Sequence, residues 1–469
     1  MIKFLPAVRE ISIPIEELLR ALVNLDSSRR VSILDSCGAR PPDARFLIAG
    51  FDPYEIVEAR DGELRISRPR EKSSEVSRGD VLALLDERLE SLRVSSAHDI
   101  PVAGACIASF SYDLARRFER LRSSAPAATA SEPDAVLVFY DTLIVHDYLH
   151  NTTRLVSVAS DERLREFQKS LTEAARSAQP SVPQNSTQIH KARSNFTREE
   201  YMSAVLRIKE HIAAGDIYQA NLTQQISVRL SDSLSPASIF LRLRRAHPAS
   251  FAACLKRESD TVISASPERF LRVAIEGNAR TVEAWPIKGT RPRGQDAETD
   301  ARLRAELSLS EKDCAENIMI VDLLRNDLGR VCHYGSVTVP ELFTIQEHPT
   351  LFHLVSRVRG ILREDVTAGT LLRASFPCGS ITGAPKLRAM EILDEVERSQ
   401  RGLSMGAIGY FSFDGKADLS VAIRTMTVRG GTARFNVGGG IVADSQPAEE
   451  YEESLIKARA LLNALSAKL

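Results

Sequence analysis

The sequence lacks the patterns that mark disulfide-rich, zinc-binding or membrane-spanning proteins. Its six cysteines are scattered over 469 residues, with no Cys-x-x-Cys pair and no histidine at metal-ligand spacing. This pattern is typical of reduced thiols. No stretch approaches the roughly 18 apolar residues that a membrane-spanning helix needs. The N-terminal residues have no signal-peptide pattern. We therefore expect a cytoplasmic protein.

The sequence also lacks an excess of charge of either sign. Lys plus Arg total 61, Asp plus Glu total 62, and the net charge is −1. Such a balance gives no electrostatic basis for binding nucleic acid or an anionic membrane. Neither G-x-G-x-x-G nor G-x-x-x-x-G-K-S/T occurs, so no nucleotide-binding loop is predicted.

The composition is that of a globular protein with one large or two ordinary domains. Hydrophobic residues make up 43% and charged residues 26% of the chain. Residues 179–196 are rich in Pro, Ser, Asn and Gln, which predicts a linker or an exposed excursion between an N-terminal region (1–178) and a second part (197–469). Thr197 and Glu200 form a capping box at the start of a predicted helix.

Residues 284–294 (AWPIKGTRPRG) combine stiffness with positive charge. They hold the only Trp of the chain, two prolines, two glycines and three cations. This composition predicts an ordered loop that presents backbone N–H groups and Lys288 to an anion. A basic surface turn is the alternative interpretation.

Acidic, glycine-rich and basic elements further along the chain suit a bound anion with a metal ion. Asp313/Glu316 and Glu450/Glu453 are spaced i, i+3 on predicted helices, so each pair presents two carboxylates to one side. If the two helix faces meet across a pocket, their carboxylates would hold Mg²⁺. The alternative interpretation is that both pairs are acidic helix turns exposed to solvent. Residues 438–440 and Gly383 offer backbone N–H groups to an anion. Three side chains from separate elements offer positive charge: Lys288, Arg424 and Lys457.

Nine stretches within residues 216–458 together resemble the chorismate-utilising enzymes, which include anthranilate, aminodeoxychorismate, isochorismate and salicylate synthases. They are DIYQANLTQ, SASPERFL, PIKGTRPRG, AENIMIVDLLRNDLGRV, HLVSRVRG, FPCGSITGAPK, IGYFSF, AIRTM and GGGIVADSQPAEEYEESLIKA. The resemblance implies an α+β fold with two large, mainly antiparallel β-sheets packed as a sandwich and helices on the outside. The N-terminal region is expected to contribute strands to the same sandwich.

The resemblance also implies roles for individual residues in a site for chorismate and Mg²⁺. Glu316 and Glu453 match the metal carboxylates, with Asp313 and Glu450 as outer partners. Glu268, in a predicted strand, matches the general acid that assists loss of the C4 hydroxyl, and His353 lies near the departing oxygen. The substrate-binding positions are Thr290, Thr382, Tyr410, Arg424, Gly438, Gly439, Gly440 and Lys457.

Two positions discriminate within the family. Isochorismate and salicylate synthases carry a water-activating lysine where this chain has Gln219. Lys288 replaces the alanine usual in anthranilate and isochorismate synthases and resembles aminodeoxychorismate synthases, in which lysine attacks C2 and ammonia then adds at C4. Nearby Arg291 and Arg293, or partial desolvation, would favour the neutral amine that attacks. The alternatives are anthranilate synthase component I and a non-catalytic chorismate-binding or regulatory subunit.

The resemblance implies a partner and raises the question of an effector. No Gly-x-Cys-x-Gly nucleophile loop is present, so ammonia is expected from a separate glutamine amidotransferase subunit. The product would serve 4-aminobenzoate and folate biosynthesis. Leu34-Asp35-Ser36 resembles the start of an N-terminal pocket that binds tryptophan in some relatives, but the sequence leaves open whether this chain binds an effector.

Overall fold

The computed structural model describes residues 5–38, 44–95, 100–119, 121, 132–177, 189–347 and 351–469. The strands before residue 178 are β1 (Ala7–Ile11), β2 (Ser32–Asp35), β3 (Phe46–Gly50), β4 (Glu55–Arg60), β5 (Glu63–Arg68), β6 (Ser73–Arg78), β7 (Ala105–Phe110), β8 (Ala135–Tyr140), β9 (Thr142–Asp147) and β10 (Thr152–Ser157). The later strands are β11 (His190–Ser194), β12 (Gln219–Arg229), β13 (Phe251–Lys256), β14 (Thr261–Ser266), β15 (Arg269–Glu276), β16 (Ala279–Trp285), β17 (Ile287–Pro292), β18 (Thr338–Glu347), β19 (Leu351–Ile361), β20 (Gly383–Ala384), β21 (Ala407–Ser412), β22 (Ala417–Val421), β23 (Thr425–Arg429), β24 (Thr432–Ile441) and β25 (Ala467–Lys468).

The helices lie between these strands along the chain. Their bounds are α1 (Ile15–Asn24), α2 (Val81–Ser91), α3 (Asp161–Ser177), α4 (Arg198–Ala213), α5 (Pro236–Ala246), α6 (Ala297–Ser308), α7 (Glu311–Gly329), α8 (Ala368–Ser375), α9 (Lys386–Val396) and α10 (Pro447–Ala464). The predicted capping box at the start of α4 is present, with both Thr197–Glu200 hydrogen bonds made.

The described strands form two large sheets. The first has 13 strands, ordered β1-β10-β9-β3-β2-β13-β14-β23-β24-β12-β11-β25, with β20 also paired to β12. The second has 12 strands, ordered β17-β19-β16-β15-β22-β21-β7-β8-β4-β5-β6, with β18 also paired to β19. Neighbouring strands are antiparallel, apart from the short parallel β11–β25 pair. The predicted class is therefore confirmed.

The two sheets pack face to face between outer layers of helices. An inner cluster joins Ile48, Val145 and Val262 of the first sheet to Ile107 and Ile408 of the second. A second cluster packs α1, α3, α5 and α10 on the outer face of the first sheet. A third packs α2, α7 and α8 against the second sheet. Burial on both faces explains the continuous apolar runs in several strands.

Each sheet contains one block of strands from before residue 178 and one block from after it, and the two blocks join at a single strand pair. In the first sheet β2 pairs with β13, and in the second sheet β7 pairs with β21 over six residues. Part of the predicted linker, residues 179–188, lies outside the described residues. Within the remainder, His190–Ser194 forms β11 and pairs with β12, so the second half of that segment is a strand and not a linker.

The chain crosses between the sheets at short breaks. β14 belongs to the first sheet and β15 to the second, with only Pro267 and Glu268 between them. β22 and β23 are likewise in different sheets, separated by residues 422–424. The backbone bonds Val421 N to Glu268 O (3.0 Å) and Ala265 N to Arg424 O (3.1 Å) hold the two crossings together. Glu268 and Arg424, two candidate functional residues, thereby become neighbours.

All six cysteines are unpaired, in agreement with the expected reduced thiols. Among the helices of the described ranges, none is long and apolar enough to cross a membrane.

Candidate active site

Glu268 lies at the crossing between β14 and β15, not inside a strand as its sequence context predicts. Ser266 Oγ accepts a bond from the Glu268 N–H (3.3 Å) and donates to Val421 O (2.6 Å), which fixes this corner. The Glu268 side chain is buried, and its Oε1 has no hydrogen-bond partner among the residues that the structure describes. Burial raises the pKa of the Glu268 carboxyl to about 7, although bonds from Ser380 and the Ile287 N–H and the charge of Lys288 oppose the rise.

Residues 284–292 form the end of β16 and the strand β17, joined at Pro286, so most of the stretch 284–294 is not a loop. β17 pairs with β19 at Ile287↔Val355 and at Thr290↔His353, with a shift of register between these pairs. Lys288 and Gly289 lie in this irregular segment, and Gly289 has a φ of +83°. A Cβ at Gly289 would come within 2.9 Å of Asp313 Cγ, so glycine lets the strand approach α7 closely.

Lys288 is surrounded by carboxylates and a carbonyl group. Its Nζ lies 3.4 Å from Ser380 O, and a Cβ built on Gly440 would lie 3.6 Å from the same Nζ. The charge of Lys288 acts on the carboxyl groups of three residues: Glu268, Glu316 and Glu453. Three carboxyl groups are therefore within electrostatic range of the Lys288 amine.

The two arginines predicted to act on Lys288 are bound to carboxylates. Arg291 pairs with Glu306 (2.7 Å) and with Asp313 (3.3 Å). Arg293 makes a two-point pair with Asp300. Both guanidinium groups therefore have carboxylate partners of their own.

The predicted acidic faces of α7 and α10 interact with each other. Burial raises the pKa of Glu316, and the charges of Asp313 and Glu453 add to the rise. Burial also raises the pKa of Glu450, with Glu453 contributing and a 2.6 Å bond from Ser445 opposing. At Glu453 burial favours the neutral form, but the charge and hydrogen bond of Lys457 (2.7 Å) outweigh it and lower the pKa. The two helices therefore present one shared acidic surface.

This surface suits a cation that takes few ligands from the protein. Across the described ranges, no group of three or more His, Cys, Asp or Glu side chains is close enough to hold a metal ion by itself. Mg²⁺ commonly takes one or two carboxylates and completes its shell with water and substrate oxygens. Glu316 and Glu453 fit that requirement, with Glu453 also paired to Lys457 (2.7 Å), while Asp313 is bound to Arg291 and Glu450 to Ser445.

The three glycines 438–440 form part of β24. They pair with Thr223, Leu222 and Asn221 of β12. A Cβ at Gly439 would lie 3.3 Å from Glu450 Oε2, 3.5 Å from Lys457 Nζ and 3.6 Å from Glu453 Oε1. The glycines therefore make a floor without side chains under the acidic surface and Lys288.

Gln219 and Thr382 line the same floor. Gln219 is fully buried, and both its Oε1 and its Nε2 lack a partner within the described part of the chain. A Cβ at Gly440 would be 2.4 Å from Gln219 Nε2. The Thr382 hydroxyl is satisfied by the carbonyls of Cys378 (3.1 Å) and Gly379 (3.2 Å), and Thr382 O accepts from Asn221 N (2.8 Å). Thr382 therefore braces β12, while Gln219 has polar atoms free for a ligand.

Arg424 is an unpaired cation at the second crossing. It has a φ of +49°, and no bond or ion pair to its guanidinium is found among the described residues. Burial lowers its pKa. A guanidinium that is mostly removed from water without a counter-ion is suited to an anionic ligand.

His353, Thr290 and Lys457 are tied to other groups of the predicted set. His353 is buried, and its Nδ1 lies 2.9 Å from Thr290 Oγ1 across the β17–β19 pair. Lys457 Nζ bonds Gly438 O (3.0 Å) in addition to Glu453. Sequence reasoning missed Ser380, which touches both Lys288 and Glu268; a serine in a single 3-10 turn (Gly379–Ile381) gives no pattern by which to find it.

Tyr410 is not brought to the other predicted residues. It lines a separate cavity of about 80 Å³, together with Asp35, Phe46, Phe251 and Asp418. Burial raises the pKa of its hydroxyl, and the charge of Asp418 adds to the rise. The predicted substrate role of Tyr410 is therefore not supported, whereas Leu34-Asp35-Ser36 does line a cavity.

Comparisons with known proteins agree on one family. A family model described as chorismate binding enzyme matches residues 35–463. The chain is 39% identical over 435 residues to aminodeoxychorismate synthase component 1 of Escherichia coli, covering 92% of each chain. It is 36% identical over 455 residues to anthranilate synthase component 1 of Thermus thermophilus, covering 96% of each. The crystal structure of anthranilate synthase component I from Streptococcus pneumoniae matches with a TM-score of 0.78 and 29% identity, covering 90% of this chain and 93% of that one. The chain therefore belongs to the chorismate-binding enzyme family.

Proposed function

We propose that this chain is the chorismate-converting component of an aminodeoxychorismate synthase, which forms 4-amino-4-deoxychorismate from chorismate and ammonia. The observation that carries the proposal is the position of Lys288, whose amine lies between the Gly440 floor and the Ser380 carbonyl and interacts with Glu268. Relatives named aminodeoxychorismate synthase component 1 support it.

In the proposed reaction Lys288 Nζ attacks C2 of chorismate. Both ring double bonds shift by one position towards C4, and the C4 hydroxyl leaves as water with the proton of Glu268. A carboxyl whose pKa is about 7 still carries that proton near neutral pH. Ammonia then adds at C4, the two double bonds shift back, and the lysine leaves C2. Because the covalent bond blocks C2, ammonia is directed to C4.

The remaining residues bind and orient the substrate. The unpaired Arg424 is assigned to the enolpyruvyl carboxylate, together with backbone N–H groups of the glycine floor. Gln219 offers an uncharged amide in place of a water-activating base. The Thr290–His353 pair is assigned to the region of the departing oxygen.

We propose Mg²⁺ as the cofactor, held by Glu316 and Glu453. The electrostatic interaction between Glu316 of α7 and Glu453 of α10 supports this assignment. When bound, the ion would neutralise a substrate carboxylate at an otherwise acidic surface. Asp313 and Glu450 keep their partners Arg291 and Ser445, which suits outer positions.

We also propose a separate glutamine amidotransferase as the source of ammonia, a cytoplasmic location and a role in 4-aminobenzoate and folate biosynthesis. The component 1 names of the relatives support a partner component.

Anthranilate synthase component I is the second candidate. Its support comes from relatives of that name at 36% and 35% identity. In that reaction ammonia enters at C2, and Lys288 would have no covalent role. The two candidates therefore differ at a single chemical position.

The product formed from chorismate decides between them. Purified protein with chorismate, Mg²⁺ and ammonium is expected to yield a product that an added lyase converts to 4-aminobenzoate. Lys288→Ala is expected to abolish it, whereas Lys416→Ala, at a lysine bound to Asp414 and the Ile100 carbonyl, serves as the control and retains it. Fluorescent anthranilate from the wild-type protein without lyase would refute the proposal.

A further inference from the structure

Arg269 directly follows Glu268, and its guanidinium contacts Asp418, Phe251 and Trp285 among other groups. It forms a two-point ion pair with Asp418 (2.9 and 3.1 Å). The same group lies 5.1 Å from the centre of the Phe251 ring and 5.0 Å from that of Trp285. Arg269 is buried, so these contacts are made away from water, where cation–π and charge-assisted bonds are strongest.

The Arg269–Trp285 contact completes a closed path of connected residues through the candidate site. Arg269 and Trp285 are opposite one another in the β15–β16 pair, and the register shifts immediately after them. From Trp285 the chain continues through Pro286 to Ile287, whose N–H bonds back to the Glu268 carboxyl. Lys288 is the next residue. The path therefore runs from Glu268 to Arg269, across the stack to Trp285, and along the chain back to Glu268.

This closed path limits how the Glu268 carboxyl and the Lys288 amine can move relative to each other. Proline restricts the backbone at 286, and Ser356 N also bonds Pro286 O (3.2 Å). At Arg269 the register shifts relative to both neighbouring strands, β16 and β22, so the regular ladder bonds alone do not fix this corner. The side-chain contacts of Arg269 supply the missing constraint.

We propose that Arg269 is a positioning residue, which acts through Trp285 to hold the Glu268 carboxyl and the Lys288 amine in their reactive arrangement. It does not touch the substrate. This proposal is tested below by kcat for chorismate consumption and by Trp285 fluorescence. The kcat test rests on the proposed use of chorismate but not on which amino product is formed. The fluorescence test depends neither on chorismate nor on the product.

The chain offers a built-in reporter, because Trp285 is its only tryptophan. In Arg269→Lys the charge remains, but the planar stack and the two-point pair are lost. We expect the emission of Trp285 to shift and its quenching by acrylamide to increase. With chorismate, Mg²⁺ and ammonium, we expect kcat for chorismate consumption to fall at least about tenfold while KM changes less than about threefold, because positioning affects the reacting state more than binding.

Two control variants separate positioning from general stability. Arg257→Lys alters an equally buried arginine that makes a two-point pair with Asp260 in the β13–β14 turn. Arg357→Lys alters a second cation 5.5 Å from the Trp285 ring that is not part of the path through Glu268. Both are expected to keep kcat within about threefold of wild type in variants that remain folded. Equal losses of kcat in Arg269→Lys and either control, or an unchanged kcat in Arg269→Lys, would overturn the proposal.

A second pair of variants keeps the test decisive if Arg269→Lys does not fold. Trp285→Phe retains an aromatic face for Arg269, whereas Trp285→Leu retains apolar volume without one. The leucine variant is expected to lose at least about tenfold in kcat and the phenylalanine variant about threefold or less. Equal kcat values in the two variants would exclude a role for the stack.

Discussion

Burial and hydrogen bonding act in opposite directions on the Glu268 carboxyl, and burial prevails. The pKa rises from 4.5 to about 7 although Ser380, Lys288 and the Ile287 N–H all favour the anion. The thiol of Cys378 also faces this group, and its own pKa is raised by burial and by the Glu268 charge. Such a carboxyl is half protonated near neutral pH, which is the condition for an effective general acid.

The pH dependence of activity is expected to follow Glu268. Since the acid form donates the proton, kcat/KM should be high below pH 7 and fall as the pH rises through about 7. Glu268→Gln should lower kcat/KM by roughly 10²–10⁴-fold and remove this limb of the profile. The control is Glu55→Gln, at a buried glutamate of β4 that is paired with Arg88. A limb near pH 7 that persists in Glu268→Gln would assign the titration to another group.

The same shift has a consequence for stability. Between about pH 4.5 and 7 the folded protein holds a proton on Glu268 that the unfolded chain releases. The contribution of this group to the free energy of unfolding therefore decreases as the pH rises through that range.

At the scale of a single element, β24 illustrates why a strand at a ligand site contains consecutive glycines. A Cβ at Gly438 would lie 1.8 Å from Leu222 O of β12, an impossible contact with backbone. A Cβ at Gly440 would instead meet the end of the Gln219 side chain at 2.4 Å and lie beside the Lys288 amine. The first glycine is therefore needed for strand pairing and the second for the space above the floor.

Alanine substitutions are expected to separate these two requirements. Gly438→Ala should lower the free energy of unfolding by roughly 1–3 kcal/mol, because the backbone of β12 has to move. Gly440→Ala should change stability less but lower kcat at least about tenfold, because Gln219 and Lys288 are displaced. Gly329→Ala is the control, since a Cβ there meets nothing within 4 Å.

Urea denaturation and chorismate turnover measure the two effects separately. Similar losses of stability in Gly438→Ala and Gly440→Ala, with no difference in turnover, would contradict this division of roles.

At the scale of the whole molecule, both sheets depend on strands from the N-terminal region. Phe110 of β7 is fully buried, is opposite Ala407 of β21 and makes edge contacts with Phe411 (6.2 Å) and Phe376 (6.4 Å). A core that joins both parts of the chain in this way is expected to unfold as one unit. The division at 179–196 therefore separates regions of sequence more clearly than regions of structure.

Unfolding of Phe110→Ala tests this expectation with two probes. The substitution should cost about 3–5 kcal/mol of unfolding free energy because it leaves a cavity in the core. Trp285 fluorescence, which reports on β16, and far-UV circular dichroism should shift to the same lower urea midpoint. A Trp285 transition that keeps its wild-type midpoint would indicate that residues 197–469 unfold independently.

Local chemistry made much of the fold and site predictable. The capping box at Thr197, the apolar runs of buried strands and the i, i+3 acidic pairs depend on neighbours in sequence. Errors arose where tertiary contacts override local pattern. Residues 287–292 and 438–440 have compositions that disfavour strands, but pairing with β19 and β12 makes them strands. The substrate role of Tyr410 came from a match to family motifs, and a motif match does not tell which face of a sandwich a side chain occupies.

The sequence by itself determined the class of the fold, the family and the residue types of the site, because these depend on periodicity and on motifs read in order. Only the tertiary structure decided that Glu268 and Arg424 meet at two sheet crossings, that Arg291 and Arg293 are bound to carboxylates, and that glycines 438–440 form a floor. The physical reason is that burial, pairing and electrostatic field depend on distances between segments far apart in the chain.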